Sequence, residues 1–220
     1  MEANIRVVSF FEDVAQERLI GTLIDRIAED AGVRQRRLRR EARVAEPGAR
    51  VHEQFESFVK QRSDELSGPD VVLVVAIDCN CRRRNERKRQ LEDKIWTRPR
   101  KGKKVRAAHV IVPTEHVAFC LPDPHIERWY IADQHAFNDV IGAGAAPKLP
   151  AYKCERDYYK NMLREALIKA GIRPILGGAE YGELIAQKID LEQLRKADPA
   201  FESFEEELRG ALKLVSSGLS

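Results

Sequence analysis

Two spacings of apolar residues organise the chain. Residues 71–77, VVLVVAI, form a continuous apolar run that stops abruptly at Asp78-Cys79-Asn80-Cys81. A short unbroken run of this kind predicts a strand covered on both faces, as in the sheet of an α/β protein. Ile5–Phe11, IRVVSFF, is β-branched and aromatic and predicts a first strand, closed by Glu12-Asp13. The spacing then changes to that of a helix. Leu19, Leu23 and Ile27 form one stripe, with Ile20 and Ile24 beside it. Asp13 is placed to cap this helix over residues 14–30, with Gln16 three positions on and Gly32 to end it. The opening order of strand, acid and helix begins an α/β unit.

The same reading carries through the chain. Residues 34–44 are a basic stretch with the character of an edge strand. Residues 51–65 read as a helix with Phe55, Phe58 and Val59 inward, and Ser67-Gly68-Pro69-Asp70 turns into the central strand. Residues 84–96 form a charged helix, 105–112 a third buried strand and 117–121 a short fourth. In LPDPHIERWYIAD, Asp123 suits an N-cap and Pro124 the first helical position, with Ile126, Trp129 and Tyr130 on the apolar face. Residues 142–150 are a small-residue loop, and helices follow over 157–170, 177–188, 191–196 and 199–215. The predicted fold is α/β, a mostly parallel sheet flanked by helices. Residues 1–140 form the core and 141–220 a helical C-terminal extension packed on it.

Composition narrows the class. The 220 residues are 43% hydrophobic and 33% charged, which excludes a wholly disordered chain and a membrane protein. No apolar run approaches the roughly 20 residues a bilayer span needs. The N-terminus has no signal-peptide pattern, so a cytoplasmic location is expected. Cys79, Cys81, Cys120 and Cys154 are then expected as reduced thiols, and their spacing supplies no second pair for zinc.

Charge adds an asymmetry. Residues 82–106 hold thirteen Lys or Arg against three Asp or Glu, a net of +10, against a formal +3 for the whole chain. A second cluster comprises Arg34, Arg36, Arg37, Arg39, Arg40 and Arg43. Such concentration is the footprint of a phosphate-backbone partner. The residues expected to contact nucleic acid are Arg82, Arg83, Arg98, Arg100, Lys101, Lys103 and Lys104.

Three acids stand at ends of apolar segments: Glu12, Asp78 and Glu127. Carboxylates gathered at strand ends are what a hard divalent ion requires, and Mg²⁺ so placed bridges to substrate phosphate. Each acid also has a plainer reading as a cap or turn residue. Glu127 can simply pair with Arg128, His125 reads as a surface residue at a helix start, and Trp129 and Tyr130 read as core.

These segments resemble a family. FFEDVAQERLIGTLIDRIAEDAG resembles the opening of the Toprim (topoisomerase–primase) fold, where a glutamate ends the first strand. VVLVVAIDCN is similar to the second Toprim motif, a strand ending in Asp-x-Asp. The acid five positions after the first glutamate, Glu17, resembles the variant motif of RloB-like and OLD-like (overcoming lysogenization defect) nucleases. DPHIERWYIAD is similar to the Pro-x-x-Glu-x-Trp segment of small Toprim proteins in those anti-phage defence families. The resemblance covers residues 5–133.

It implies a Toprim-like (Rossmann-like) core and a nuclease using Mg²⁺ or Mn²⁺ on DNA or RNA. Glu12 and Asp78 would be catalytic and metal-binding, with Asn80, Glu17 and Glu127 as further ligands. Lys153 or Lys160 would stabilise transition-state charge, Lys160 being the residue carried forward as catalytic. It also implies a defence effector working with a partner ATPase, since no GxxxxGK[ST] loop occurs in the chain. A homo-oligomer is compatible with it. Asn80 replaces the second acid of the Asp-x-Asp pair and lowers the charge available to an ion. That leaves open a one-metal nuclease, a weak nuclease, or an inactive subunit that binds nucleic acid or a partner protein. A primase is disfavoured, because nothing resembles the domains that accompany one.

Overall fold

The protein was analysed as a computed structural model that describes residues 4–48, 50–95 and 112–218. The strand expected over 105–112 (Val112 apart) and Arg98, Arg100, Lys101, Lys103 and Lys104 lie outside the described residues.

In chain order the elements are β1 (Ile5–Phe11), α1 (Val14–Asp30), β2 (Leu38–Val44), α2 (Val51–Gln61), α3 (Ser63–Leu66), β3 (Val71–Ala76) and α4 (Arg84–Ile95). There follow β4 (Val117–Cys120), α5 (Glu127–Tyr130), α6 (Gln134–Ile141), α7 (Tyr158–Lys169), α8 (Gly182–Lys188), α9 (Leu191–Ala197) and α10 (Pro199–Gly218). The four strands form one parallel sheet in the order β2-β1-β3-β4. With helices on both faces and a long C-terminal helix, the molecule is α/β and Rossmann-like.

Strand residues divide by parity between two cores. Val72, Val74 and Ala76 of β3 face a cluster with Leu19, Leu23 and Ile27 of α1 and the helices from α5 onward. Val71, Leu73 and Val75 face Phe55, Phe58 and Val59 of α2 and Leu91 and Ile95 of α4. Two-sided burial is why the run carries no polar residue before Asp78. Each buried Leu, Ile or Phe contributes about 2 kcal/mol of transfer free energy. β2, at the sheet edge, has no buried residue and carries its arginines in the open.

The path from β1 to β2 runs outward, and the path from β2 to β3 returns past β1. With the common right-handed crossover, α1 and α2 must then cover opposite faces, as they do. The chain therefore reverses direction across the sheet between β1 and β3. In open α/β sheets, the crevice beyond the strand ends at such a point is where ligands bind.

Several expectations need correction. Helix 51–65 is broken into α2 and α3 at Arg62. Asp123 does not cap a helix. The Asp123–Pro124 peptide is cis, the chain runs beside residues 77–80, and α5 begins only at Glu127. Cys79 N–H donates to Pro122 O at 2.8 Å and Asn80 N–H to Pro124 O at 3.0 Å. Asp123 Oδ1 instead accepts from the Tyr152 hydroxyl at 2.9 Å. His125 is buried, not at the surface. A separate helix, α6, follows α5, capped by Asp133, which accepts from His135 N and Ala136 N. The thiols are not all reduced: Cys81 and Cys154 form a disulfide, with Cα atoms 5.5 Å apart. The loop after β3 and the segment before α7 bring the two together, while Cys79 and Cys120 are free and buried.

Candidate functional site

β1 and β3 run in register, Phe11 opposite Ala76, so Glu12 and Asp78 emerge side by side at the C-terminal edge. The two are stitched directly. Asp78 N–H donates to Glu12 Oε2 at 2.8 Å. Between them sits Gln16 on the first turn of α1, fully buried. Its backbone N–H donates to Asp13 Oδ1 at 2.9 Å, the helix cap. Its side-chain Oε1 accepts from Glu12 N–H at 2.9 Å. That contact orients the amide, and Nε2 donates to Asp78 Oδ1 at 2.9 Å. The same Asp78 oxygen accepts from Ile126 N–H at 3.1 Å, which ties the start of α5 to the end of β3.

Glu127, the first residue of α5, is thereby carried to the crevice, and one of its carboxylate oxygens, Oε2, is buried without a hydrogen-bond partner. Its supposed partner Arg128 turns away and pairs with Asp198. Lys160 on α7 reaches in from the other side, with Nζ 3.9 Å from Glu127 Oε1. Glu12, Asp13, Glu127 and Lys160 share a cavity of about 470 Å³, whose lining also includes Val14, Val44, Pro47, Leu163 and Leu176.

The electrostatics follow from burial. Asp78 is 3% exposed. Its carboxyl is pushed well above the usual range by burial and then by Glu127 and Glu12. Burial pushes Glu127 up to about 7 against the pull of Lys160. An ion pair as long as 3.9 Å does not compensate for that desolvation. Glu12 is raised by burial, although its hydrogen bond from Asp78 N–H works the other way. Burial opposes the charge on Lys160, but Glu127, Asp78 and Asp13 outweigh it and raise its pKa. Behind the crevice, Arg87 of α4 is buried, touches the His52 ring and donates to Cys79 O at 3.4 Å.

Of the residues expected from sequence, the structure thus brings together Glu12, Asp78, Glu127 and Lys160. It does not bring in the others. Asn80 is exposed, with φ of 49°, and its amide turns back toward Asp78 O at 3.4 Å. Glu17 points into a different cavity, shared with Asp25, Arg40 and Glu183. Lys153 stacks on Tyr158, 4.7 Å from the ring centroid, and pairs with Glu155. Arg82 and Arg83 are exposed on the loop that leaves β3. The basic helix after them is largely engaged within the molecule: Arg84 with Ser203, Lys88 with Glu207 and Lys94 with Glu56. Gln16 and Arg87 were missed. Gln16 was legible as a cap partner only, and Arg87 is hidden in a run that reads as solvated.

The donor set suits a hard cation in one respect. An orphaned, buried carboxylate oxygen beside two further acids is a group that a cation would satisfy. Among the described residues, no three His, Cys, Asp or Glu side chains already stand at chelating spacing.

No curated protein and no solved structure matches the chain significantly. One family model does match, over residues 12–209, a span that contains every residue of this crevice. On that match the chain belongs to the family described as a domain of unknown function, DUF4276.

Proposed function

We propose that this protein is a Mg²⁺- or Mn²⁺-dependent phosphodiester hydrolase acting on DNA or RNA, with its centre at the β1–β3 crevice. The observation that carries the reading is the convergence of Glu12, Glu127 and Lys160 on one cavity, with buried Asp78 hydrogen-bonded to Glu12 and to the start of α5 beside them. One or two of Glu12, Asp78 and Glu127 would hold the ion, with water completing its shell, and Gln16 would fix the Asp78 carboxylate in place. An ion held there would supply a coordinated water of lowered pKa and would offset charge on the phosphoryl oxygens. Lys160 supplies a positive charge for a non-bridging oxygen from its half-buried position at the cavity. Exposed Arg82 and Arg83 would meet the flanking backbone. A role beside a partner ATPase rests on the Toprim resemblance alone.

A second reading has its own observation. Two of the carboxylate oxygens are already satisfied from within, Glu12 Oε2 by Asp78 N–H and Asp78 Oδ1 by Gln16 and Ile126. On this reading the acids latch the strand ends together in a subunit that only binds nucleic acid or a partner protein.

Cleavage separates the two. Labelled DNA and RNA incubated with Mg²⁺ or Mn²⁺ should be cut, and Asp78→Asn and Glu12→Gln should each slow cutting by about 100-fold or more. Binding without cleavage under either ion, or variants as active as the parent, would remove the hydrolase reading and leave the latch.

A further inference from the structure

Two of the acids that define the crevice are nearly out of reach of solvent, and the way in has a distinctive lining. Asp78 is 3% exposed and Glu127 7%. A phosphate brought to Glu12, Glu127 and Lys160 enters a half-open recess of about 470 Å³, the size of a small-molecule pocket, with Asp78 buried beside it. The attached sugar and base must enter with it.

The same cavity has aliphatic lining that includes Val14, Val44, Pro47 and Leu176. Its outer part is unusually open for apolar side chains: Val14 is 38% exposed and Leu176 49%, and the neighbouring Ile175 reaches 86%. The turn that presents these residues is built to hold them there. The Glu180 carboxylate accepts from Ile175 N at 2.6 Å, Leu176 N at 3.0 Å and Gly178 N at 3.1 Å. At Gly178, with φ of 108°, an added Cβ would meet Leu163 Cγ at 2.8 Å, so the turn sits tightly on α7. The exposure is therefore fixed by the fold.

We propose that this pocket takes one unstacked nucleotide of a single-stranded polynucleotide, its phosphate at Lys160 and the crevice acids and its base on the Leu176 shelf. Enzymes that take a single nucleotide into a recess use single strands or extrude the target, and hold its base against apolar side chains. A paired base cannot enter without first losing its partner and its stack, so duplex is disfavoured by that cost. Basic residues at the rim fit the partner's charge: Arg164 lines the cavity and is exposed. This inference rests on the phosphodiesterase reading for the role of the phosphate, while the base shelf stands on geometry alone.

The test is a pair of measurements on the same protein. Fluorescence anisotropy with a labelled single-stranded oligonucleotide and its blunt duplex, in Ca²⁺, reads binding without requiring turnover. Cleavage of the same two probes in Mn²⁺ reads the reaction. The expected result is binding of the single strand at least about tenfold tighter, with Leu176→Ser losing about that factor and Leu176→Met restoring it. Leu176 is half exposed, so an unchanged melting curve shows that the variant folds. Equal binding of duplex, no loss in Leu176→Ser, or a dimer in sedimentation that Leu176→Ser dissociates would each overturn the proposal. Preferential single-strand binding without cleavage would sustain the shelf and remove the hydrolase reading. Cleavage of both probes alike would do the reverse.

Discussion

Gln16 shows how one amide sets an entire site. Its two ends serve opposite needs, the oxygen accepting from Glu12 N–H and the nitrogen donating to Asp78. The neighbouring acid, Glu17, was the one the sequence pointed to. A step of one residue on a helix turns a side chain by about 100°, and here it decides which of the two faces the crevice. Two buried acids, Asp78 and Glu127, beside the half-buried Glu12 also make a prediction. The folded-state pKa of Glu127 is raised by burial to about 7, above the roughly 4.3 of an unfolded chain. A raised carboxyl contributes stability that is fully present below the unfolded pKa and lost as pH rises through the folded one. Glu12 and Asp78 are displaced in the same direction. The metal-free protein should therefore lose stability, on the order of a few kcal/mol, between about pH 5 and pH 8. Glu127→Gln should reduce that slope in denaturant titrations at the two pH values, leaving the part due to Asp78 and Glu12. An equal slope in both proteins would mean that Glu127 is ionised at little cost.

Among the elements, those with a long apolar period were legible and those set by tertiary contact were not. β1, α1 and α7 follow from apolar spacing and a cap or stop signal. The stretch after β4 did not, because Asp123-Pro124 has the residues of a helix start but the backbone is taken by hydrogen bonds to the β3 exit loop. That loss of helix is what delivers Glu127, since α5 begins where Asp78 accepts from Ile126 N–H. The turn before α8 was equally hidden, being shaped by Glu180 and by close approach to α7. Gly178→Ala tests it. A Cβ there meets Leu163 and Leu167 closer than 3.0 Å in a backbone conformation unfavourable to L side chains. The variant should lose about 2 kcal/mol in chemical denaturation. A change below about 0.5 kcal/mol would show that the turn yields easily and that the shelf is not rigid.

At the scale of the whole molecule, the parallel order β2-β1-β3-β4 explains why acids far apart in sequence meet, since it puts the C-terminal ends of β1 and β3 together. The two-sided apolar runs made that sheet readable before any contact was known. The charge pattern was less transparent. Much of what reads as a solvated basic helix holds the C-terminal helix α10 and α2 in place through Arg84, Lys88 and Lys94. Among the described residues, no helix is long and apolar enough to cross a membrane. The linkage of Cys81 to Cys154 was not readable, because the residues lie 73 positions apart and only the fold makes them neighbours. The account stands or falls on whether the crevice acids hold an ion, and a crystal soaked in Mn²⁺ and measured for anomalous scattering tests that directly. It predicts a Mn²⁺ peak against one or two of Glu12, Asp78 and Glu127, beside Lys160, and none at Asn80 or Glu17. A peak in the Glu17 cavity alone, or a crevice that takes up no Mn²⁺ at saturating concentration, would contradict it.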